Sequence, residues 1–200
     1  MNILGINAYH ADAAACLVMD GKLIAAAEEE RFNRKKHCAG FPREAIRWCL
    51  KEGGLKLSDL DHVGVSRRPW ANLGRRLAVR LGWMIRSPIR ALDRFQSAAR
   101  VRSFHDNLTA LFPGEADAFR GSLHHVEHHL AHAASAFLVS PFEEAAILSV
   151  DGFGDFASAL MARGTGHRLE PLRRVHFPHS LGLFYTAITR ARKLCVLAGS

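Results

Sequence analysis

The sequence lacks the features that would place it in a membrane or outside the cell. No apolar run approaches the ~18–20 residues that a helix needs to cross a bilayer. The amino terminus, Met1–Gly5, has no basic segment before its first apolar residues and does not resemble a secretory signal peptide. The four cysteines form no Cys-x-x-Cys pair, which predicts free thiols in a reducing compartment. We therefore expect a cytoplasmic protein with no membrane partner.

Several common catalytic motifs are missing, and one segment has almost no acidic residues. The chain contains no P-loop, no Gly-x-Ser-x-Gly elbow and no Cys/His zinc pattern. Between Arg67 and Arg102 there are ten arginines and a single acid, Asp93. Such a segment could meet nucleic acid, but Pro69 and Pro88 interrupt it. We interpret it as two amphipathic helices whose arginines face solvent or a missing part of the protein, so nucleic acid is not the expected partner.

A pair of histidines one helical turn apart is the strongest chemical signal in the sequence. His128 and His132 stand at i and i+4 of a predicted helix, so their Cβ atoms lie on one face, roughly 6 Å apart. Asp151 follows the predicted strand 145–150 and precedes a glycine turn, where its carboxylate can supply a third ligand. Two imidazoles and one carboxylate suit a divalent metal with open positions, which favours Fe(II) or Mn(II) over Zn(II). The alternative is a merely polar helix face.

An internal repeat predicts the architecture. The strand predicted at 3–7 aligns with 147–151, and the small-residue strand at 13–18 aligns with 157–162. In both copies a strand ends in a polar turn, a second strand returns, and a glycine turn leads to a third. Two such β-β-β-α-β-α units facing each other across a cleft form the duplicated α/β fold of actin and the sugar kinases, which is ribonuclease H-like. We predict this fold.

Turn residues of the two copies are candidates for phosphate binding and catalysis. In this fold the first hairpin of each half holds phosphate through backbone N–H groups and small residues. His10 and Asp12 occupy the first turn, and Gly152 and Gly154 the second. His10 could act as a general base on a hydroxyl, or it could cap an exposed turn, and Asp12 could form an Asx turn. Ser180 is predicted to cap an apolar helix, whose N-terminus could bind an anion or simply begin a core helix.

A run of charges supplies a candidate lysine. Residues 28–37 change from acidic to basic directly after a predicted buried strand, so part of the run must lie near the edge of the predicted cleft. Lys35 or Lys36 is suited to a mobile phosphate or carbonyl oxygen, because lysine is a compact point charge. The alternative is a solvated charged face.

Five blocks of sequence, in order and at matching spacing, resemble the O-carbamoyltransferases of nodulation-factor and antibiotic biosynthesis. These enzymes are relatives of those that make the threonylcarbamoyl modification of tRNA. The blocks are NILGINAYHADAAA at 2–15, DGKLIAAAEEERFNRKKH at 20–37, HHLAHAASAF at 128–137, SPFEEAAILSVDGFG at 140–154 and PHSLGLFYT at 178–186.

The resemblance implies an actin-like domain with a divalent metal, iron, and an adenine nucleotide. In such enzymes carbamoyl phosphate and ATP form carbamoyladenylate in a separate C-terminal domain, and the actin-like domain passes the carbamoyl group to a hydroxyl of a small acceptor. His128, His132 and Asp151 match the metal ligands. His10 matches the histidine that activates the acceptor hydroxyl, and Lys36 matches a lysine near the carbamoyl oxygen.

The sequence departs from the family pattern after Ile188. The expected continuation has a glycine-bearing loop, a Lys-Met-Gly-Leu-Ala stretch and a further aspartate ligand, and the chain instead ends at Ser200. We therefore expect a first half at 1–140, with the arginine-rich insert at about 67–102, and an incomplete second half at 141–200. The adenylate-forming domain would be absent and this chain alone inactive. Four apolar residues of the last predicted helix would then lack packing partners: Leu181, Leu183, Phe184 and Ile188.

Two other interpretations and the oligomeric state stay open. The chain could be a non-catalytic remnant or scaffold that keeps the metal and nucleotide pockets and docks another chain through its arginine-rich segment. It could also be a relative of the tRNA-modifying enzymes whose arginines hold RNA, although the AEEERFNRKKH block favours the small-molecule enzymes. A homodimer is left open, and the identity of the acceptor cannot be deduced from the residues.

Overall fold

The computed structural model describes residues 1–9, 12–68, 70–72, 74, 77, 104–112 and 119–198. His10 and most of the arginine-rich segment lie outside these residues. The chain forms two compact units, the first made of Met1–Pro69 and Gly74–Val126 and the second of Trp70–Leu73 and Glu127–Ser200. The boundary that the repeat predicts near residue 140 stays a prediction.

A five-stranded mixed sheet forms the centre of the first unit. Its first three strands make an antiparallel meander, and two later strands pair in parallel on the other side of the first, in the order β3-β2-β1-β4-β5. The turn between the second and third strands is Asp20-Gly21, with φ of 49° and 78°, as predicted for a tight hairpin. The strands are β1 (Asn2–Asn7), β2 (Ala14–Met19), β3 (Lys22–Glu28), β4 (His62–Val65) and β5 (Ser122–His125).

Two helices cover one face of this sheet, because alternate strand residues are apolar and point to the same side. α2 (Arg43–Gly53) and α3 (Phe104–Leu111) supply apolar residues to a core that includes Leu4 and Val63 of the sheet. α1 (Glu30–Asn33) is a single turn after β3, and a short 3₁₀ turn spans Leu57–Asp59. Gly54 follows α2 and caps it, because its left-handed conformation (φ 64°) lets its N–H reach the carbonyls of Leu50 and Lys51.

The second unit is a three-stranded antiparallel sheet with one helix packed on one of its faces. Ala133 of the helix packs against Leu160 and Ala162 of the central strand. The sheet has the order β6-β7-β8, and a second helix follows it. The elements are α4 (His128–Phe137), β6 (Glu144–Gly154), β7 (Ala157–Thr165), β8 (Arg168–His176) and α5 (Leu181–Ala198).

The order of elements confirms the predicted fold. Each unit contains three consecutive antiparallel strands, β1-β2-β3 and β6-β7-β8, and each triplet is followed by a helix. In the first unit the chain then returns to the sheet as strands parallel to β1. This β-β-β-α-β arrangement is the actin-like α/β fold that the internal repeat indicates.

Apolar side chains are exposed on α5 and on the outer face of the second sheet. The four residues of α5 that were expected to lack packing partners are all at least half exposed, between 50% and 68%. Leu148 of β6 and Leu172 of β8 are also exposed, at 65% and 63%. Among the helices that the structure describes, none combines the length and the apolar character needed to cross a membrane.

Candidate metal centre

The histidine helix begins at a buried glutamate. Glu127 has an extended backbone, and its carboxylate accepts hydrogen bonds from the N–H groups of His129 (3.3 Å) and Leu130 (3.0 Å). Arg174 lies 3.8 Å from the same carboxylate and balances its charge. This cap fixes the first turn of α4, so His128 is its first residue and His132 stands one turn later on the same face.

Two histidines and one aspartate of the second unit converge. His128 Nε2 lies 2.9 Å from Asp151 Oδ2 and 3.1 Å from His132 Nε2. His132 Nε2 is 4.0 Å from the same carboxylate oxygen. Within the described part of the chain, these three residues are the one group of three or more potential ligands whose donor atoms all lie within 4.8 Å of one another.

The spacing of these donor atoms fits a metal ion. Metal–donor distances of about 2.0–2.2 Å place neighbouring ligand atoms roughly 3 Å apart. The separations of 2.9 and 3.1 Å match that value, and the 4.0 Å separation suits a wider angle. A single proton on His128 Nε2 could serve only one of its two neighbours, whereas a cation would be attracted to all three lone pairs. Exposed His132 and half-exposed Asp151 leave one side of the triad accessible.

The surroundings favour the proton-free forms of Asp151 and His132. Burial disfavours the charged form of Asp151, but hydrogen bonds with His128 and with the N–H of Gly152 outweigh it, and the pKa of Asp151 lies below its ordinary value. Burial and the neighbouring His128 lower the pKa of His132, against the opposing effect of Asp151. Ligands bind metal in their deprotonated form, so both directions favour binding at neutral pH.

The loop after Asp151 holds His128 in place. The N–H of His128 donates to Asp155 Oδ2 at 3.0 Å. Gly154 lies directly beside the imidazole, because a Cβ at this position would be 1.9 Å from a ring carbon of His128. Gly152 also lies beside the triad, because its N–H donates to the carboxylate of Asp151. Gly152 and Gly154, the two phosphate-binding candidates of the second turn, are therefore both next to these three residues. Among the described residues, apart from its two chain neighbours, none lies within 4 Å of the place where a Cβ of Gly152 would stand.

Ser180 contacts the backbone of Asp151 and, as predicted, caps α5. Its hydroxyl accepts a hydrogen bond from the N–H of Leu183 (3.1 Å). The same hydroxyl lies 3.2 Å from the carbonyl oxygen of Asp151 and 2.8 Å from that of Gly152.

In the first unit, the charged loop packs along the first hairpin turn. The backbone N–H of Ala13 donates a hydrogen bond to the carbonyl oxygen of Cys38, and that of Tyr9 donates to the carbonyl oxygen of Gly40, both at 3.0 Å. Asp12 Oδ1 lies 3.0 Å from His37 Nδ1. The structure thus brings Asp12 and the loop that carries Lys36 together, with Lys36 itself exposed. His10 belongs to the same turn but lies outside the described residues.

Sequence reasoning missed three residues near the triad. Glu127 was not recognised as a cap, because Ser, Thr, Asp and Asn are the usual capping residues. Gly182 was not recognised, although an added Cβ would lie 2.6 Å from the backbone carbonyl of Asp151. His129 was not recognised either, although it is fully buried and its Nδ1 lies 2.9 Å from Ser149 Oγ. The one sequence signal for its burial is that it follows His128 directly and so lies on a different face of the helix.

Comparison with known proteins gives a consistent family. An uncharacterized protein of Synechocystis sp. is 41% identical over 192 residues, which is 94% of this chain and 31% of that protein. Nodulation protein NolNO of Sinorhizobium fredii is 41% identical over 182 residues, 90% of this chain and 25% of that protein. The chain therefore spans between a quarter and a third of the length of these relatives.

Among solved structures, YeaZ from Pseudomonas aeruginosa is similar with a TM-score of 0.49 and 14% identity, covering 88% of this chain and 67% of that one. The family model described as the carbamoyltransferase N-terminus matches residues 2–193. Because this model matches residues 2–193, the protein belongs to the carbamoyltransferase N-terminus family.

Proposed function

We propose that this chain is the N-terminal part of an O-carbamoyltransferase that moves a carbamoyl group to a hydroxyl of a small-molecule acceptor. The donor would be carbamoyladenylate, made from carbamoyl phosphate and ATP in a region of the longer relatives that this chain does not include. The observation that carries the proposal is the convergence of His128, His132 and Asp151 in a member of this family.

His128, His132 and Asp151 would hold one divalent ion, and Fe(II) fits their mixed nitrogen and oxygen donors. When bound, such an ion supplies Lewis-acid polarisation of an oxygen atom near the transferred group. The residues themselves supply two imidazole nitrogens and one carboxylate oxygen from a helix and the end of a strand, both of which are fixed by backbone hydrogen bonds.

His10 and Lys36 would act on the transferred group and its acceptor. His10 would take the proton of the acceptor hydroxyl while the acceptor oxygen forms a bond to the carbamoyl carbon. The bond between that carbon and the phosphate oxygen of the adenylate breaks, and AMP leaves. Lys36 would stabilise the carbamoyl oxygen with its positive charge. The backbone around Asp12 is fixed by the neighbouring loop, which also carries Lys36.

Each of the two hairpin turns is a candidate contact for a nucleotide phosphate. Asp12 marks the turn of the first unit, and Gly152 and Gly154 mark that of the second, where no described residue other than the chain neighbours lies within 4 Å of a Cβ built on Gly152. Small residues and backbone N–H groups in such turns can approach a phosphate closely. The helix N-terminus that Ser180 caps was predicted as a further phosphate contact.

The test is carbamoyl transfer by a completed polypeptide. Residues 1–193 would be joined to the remaining part of the Sinorhizobium relative and supplied with ATP, carbamoyl phosphate, Fe(II) and a panel of hydroxylated acceptors. We expect a carbamoylated product from the parent and none above background from His132→Ala. His167→Ala, in an exposed turn of the same unit, is the matched control and should keep full activity. Equal activity of the two variants would refute the proposal.

A further inference from the structure

The first turn of α5 is built onto the backbone of a metal-ligand residue. Ser180 has one hydroxyl proton, which is directed to the carbonyl oxygens of Asp151 and Gly152, and its oxygen accepts the N–H of Leu183. A serine hydroxyl has one donor and two acceptor lone pairs, so these contacts use most of its capacity.

Gly182 makes the close approach sterically feasible. A Cβ at this position would lie 2.6 Å from the carbonyl carbon and oxygen of Asp151 and 2.7 Å from the nitrogen of Gly152. All three are backbone atoms of the strand end, so they cannot rotate out of the way as a flexible side chain could. Any side chain larger than hydrogen at residue 182 must therefore push α5 away from Asp151.

The segment that leads into α5 is anchored independently of the metal ligands. Ser158 of β7, almost fully buried, donates to the carbonyl oxygen of His179 at 2.6 Å. The N–H of Phe177 donates to the carbonyl of Phe156 at 3.2 Å. Residues 177–180 are thus tied to the second sheet, which gives Ser180 a fixed position from which to hold Asp151.

We infer that Ser180 and Gly182 are positioning residues of the metal centre, which hold the Asp151–Gly152 peptide so that the Asp151 carboxylate faces His128 and His132. The backbone carbonyl oxygens of Asp151 and Gly152, rather than a phosphate, then face the positive N-terminal end of α5. The inference rests on the proposed function for the presence of a metal, and it gives Ser180 a role different from the phosphate contact that the sequence suggested.

The experiment measures metal binding by purified residues 1–200. Titration with Co(II) gives the dissociation constant, and the visible spectrum of the bound ion reports its coordination geometry. Ser180→Ala and Gly182→Ala should each weaken binding by about 10- to 100-fold, the usual cost of losing an outer partner of a metal ligand, and should alter the spectrum. Ser180→Thr keeps the hydroxyl and should restore both.

Ser140→Ala is the matched control, because Ser140 also donates to a carbonyl oxygen (Phe137, 2.7 Å) and accepts an N–H (Phe142, 3.4 Å), but at the far end of α4. It should leave metal affinity unchanged even if it lowers the melting temperature of the metal-free protein. If Gly182→Ala does not fold, Ser180→Ala alone decides.

The outcomes separate this inference from the proposed function. Absence of metal binding by the parent would overturn both. Binding by the parent with unchanged affinity and spectrum in Ser180→Ala would overturn only the positioning role. Weakened ATP binding with intact metal binding in Ser180→Ala would also overturn it, because that result assigns Ser180 to the phosphates.

Discussion

At the scale of single residues, His128 is held from three directions. Its Nε2 lies 2.9 Å from Asp151, its backbone N–H donates to Asp155, and its ring fills the space that Gly154 leaves. Metal-binding histidines are commonly oriented by such outer partners, whose loss typically weakens metal affinity or activity by about 10- to 100-fold. The position of His128 is therefore encoded largely by the loop that also supplies Asp151.

Replacing Gly154 should disturb both stability and metal binding. In Gly154→Ala the new methyl group would lie 1.9 Å from the His128 ring, so the ring or the loop must move. Overpacking of this kind typically costs about 1–3 kcal/mol of unfolding free energy. Urea denaturation measures this cost. Gly152→Ala is the control, because its new methyl group would meet no described residue within 4 Å other than its chain neighbours. Equal stability of the two variants would contradict the close packing at Gly154.

His10 should affect transfer and leave adenylate formation unchanged. In the completed polypeptide, His10→Asn should slow carbamoylation by about 100-fold or more, the usual scale for loss of a general base. ATP–pyrophosphate exchange, which reports adenylate formation alone, should keep its rate. A parallel fall of both rates, or no change in either, would remove His10 from the mechanism.

The convergence of His128, His132 and Asp151 was predictable from the sequence, whereas the contacts that support these residues were not. Histidines four residues apart on a helix and an aspartate at a strand end follow local periodicity, which the sequence displays directly. Ser180 and Gly182 act through the backbone of Asp151, about thirty residues earlier, and such a close approach depends on tertiary packing. A buried glutamate as a helix cap is likewise an uncommon choice that propensity does not anticipate.

At the scale of secondary-structure elements, the reactivity of the Cys49 thiol reports whether α2 packs on the first sheet. Cys49 of α2 is fully buried and lies 3.5 Å from the carbonyl oxygen of Ala15 in β2. Burial raises the pKa of Cys49 to about 11. Only the thiolate reacts with alkylating agents, and it becomes abundant only as the pH rises toward this pKa.

Iodoacetamide should therefore distinguish Cys49 from Cys38. At pH 8 only about one Cys49 in a thousand would be ionised, in addition to being inaccessible. We expect mass spectrometry to find native protein alkylated at half-exposed Cys38 and unmodified at Cys49, with both modified in urea. Rapid modification of Cys49 under native conditions would show that α2 does not pack as described.

Some turns and helix ends could be predicted from the sequence, whereas the pairing of distant strands could not. The hairpin turn at Asp20-Gly21 and the glycine stop of α2 are local signals, and both are confirmed. The parallel pairing of β1 with β4 joins segments about sixty residues apart, which no local pattern encodes. The two helices predicted within 67–102 lie almost entirely outside the described residues, so that prediction is untested.

At the scale of the whole molecule, the chain corresponds to less than a third of its longer relatives. The proposed transfer requires donor and acceptor to be positioned together, and such positioning supplies roughly 7–11 kcal/mol of the barrier in favourable cases. We expect residues 1–200 alone, given ATP, carbamoyl phosphate, Fe(II) and hydroxylated acceptors, to yield no carbamoylated product. Turnover detected by mass spectrometry would show that the catalytic unit is smaller than proposed.

Metal binding by the purified chain tests the central claim most directly. Calorimetric titration with Fe(II) under anaerobic conditions, checked by elemental analysis, should give one ion per chain for the parent and for the exposed-turn control His167→Ala. Binding should be lost or severely weakened in His128→Ala, His132→Ala and Asp151→Asn, because each removes one of three converging donors. Unchanged stoichiometry and affinity in these three variants would contradict the account.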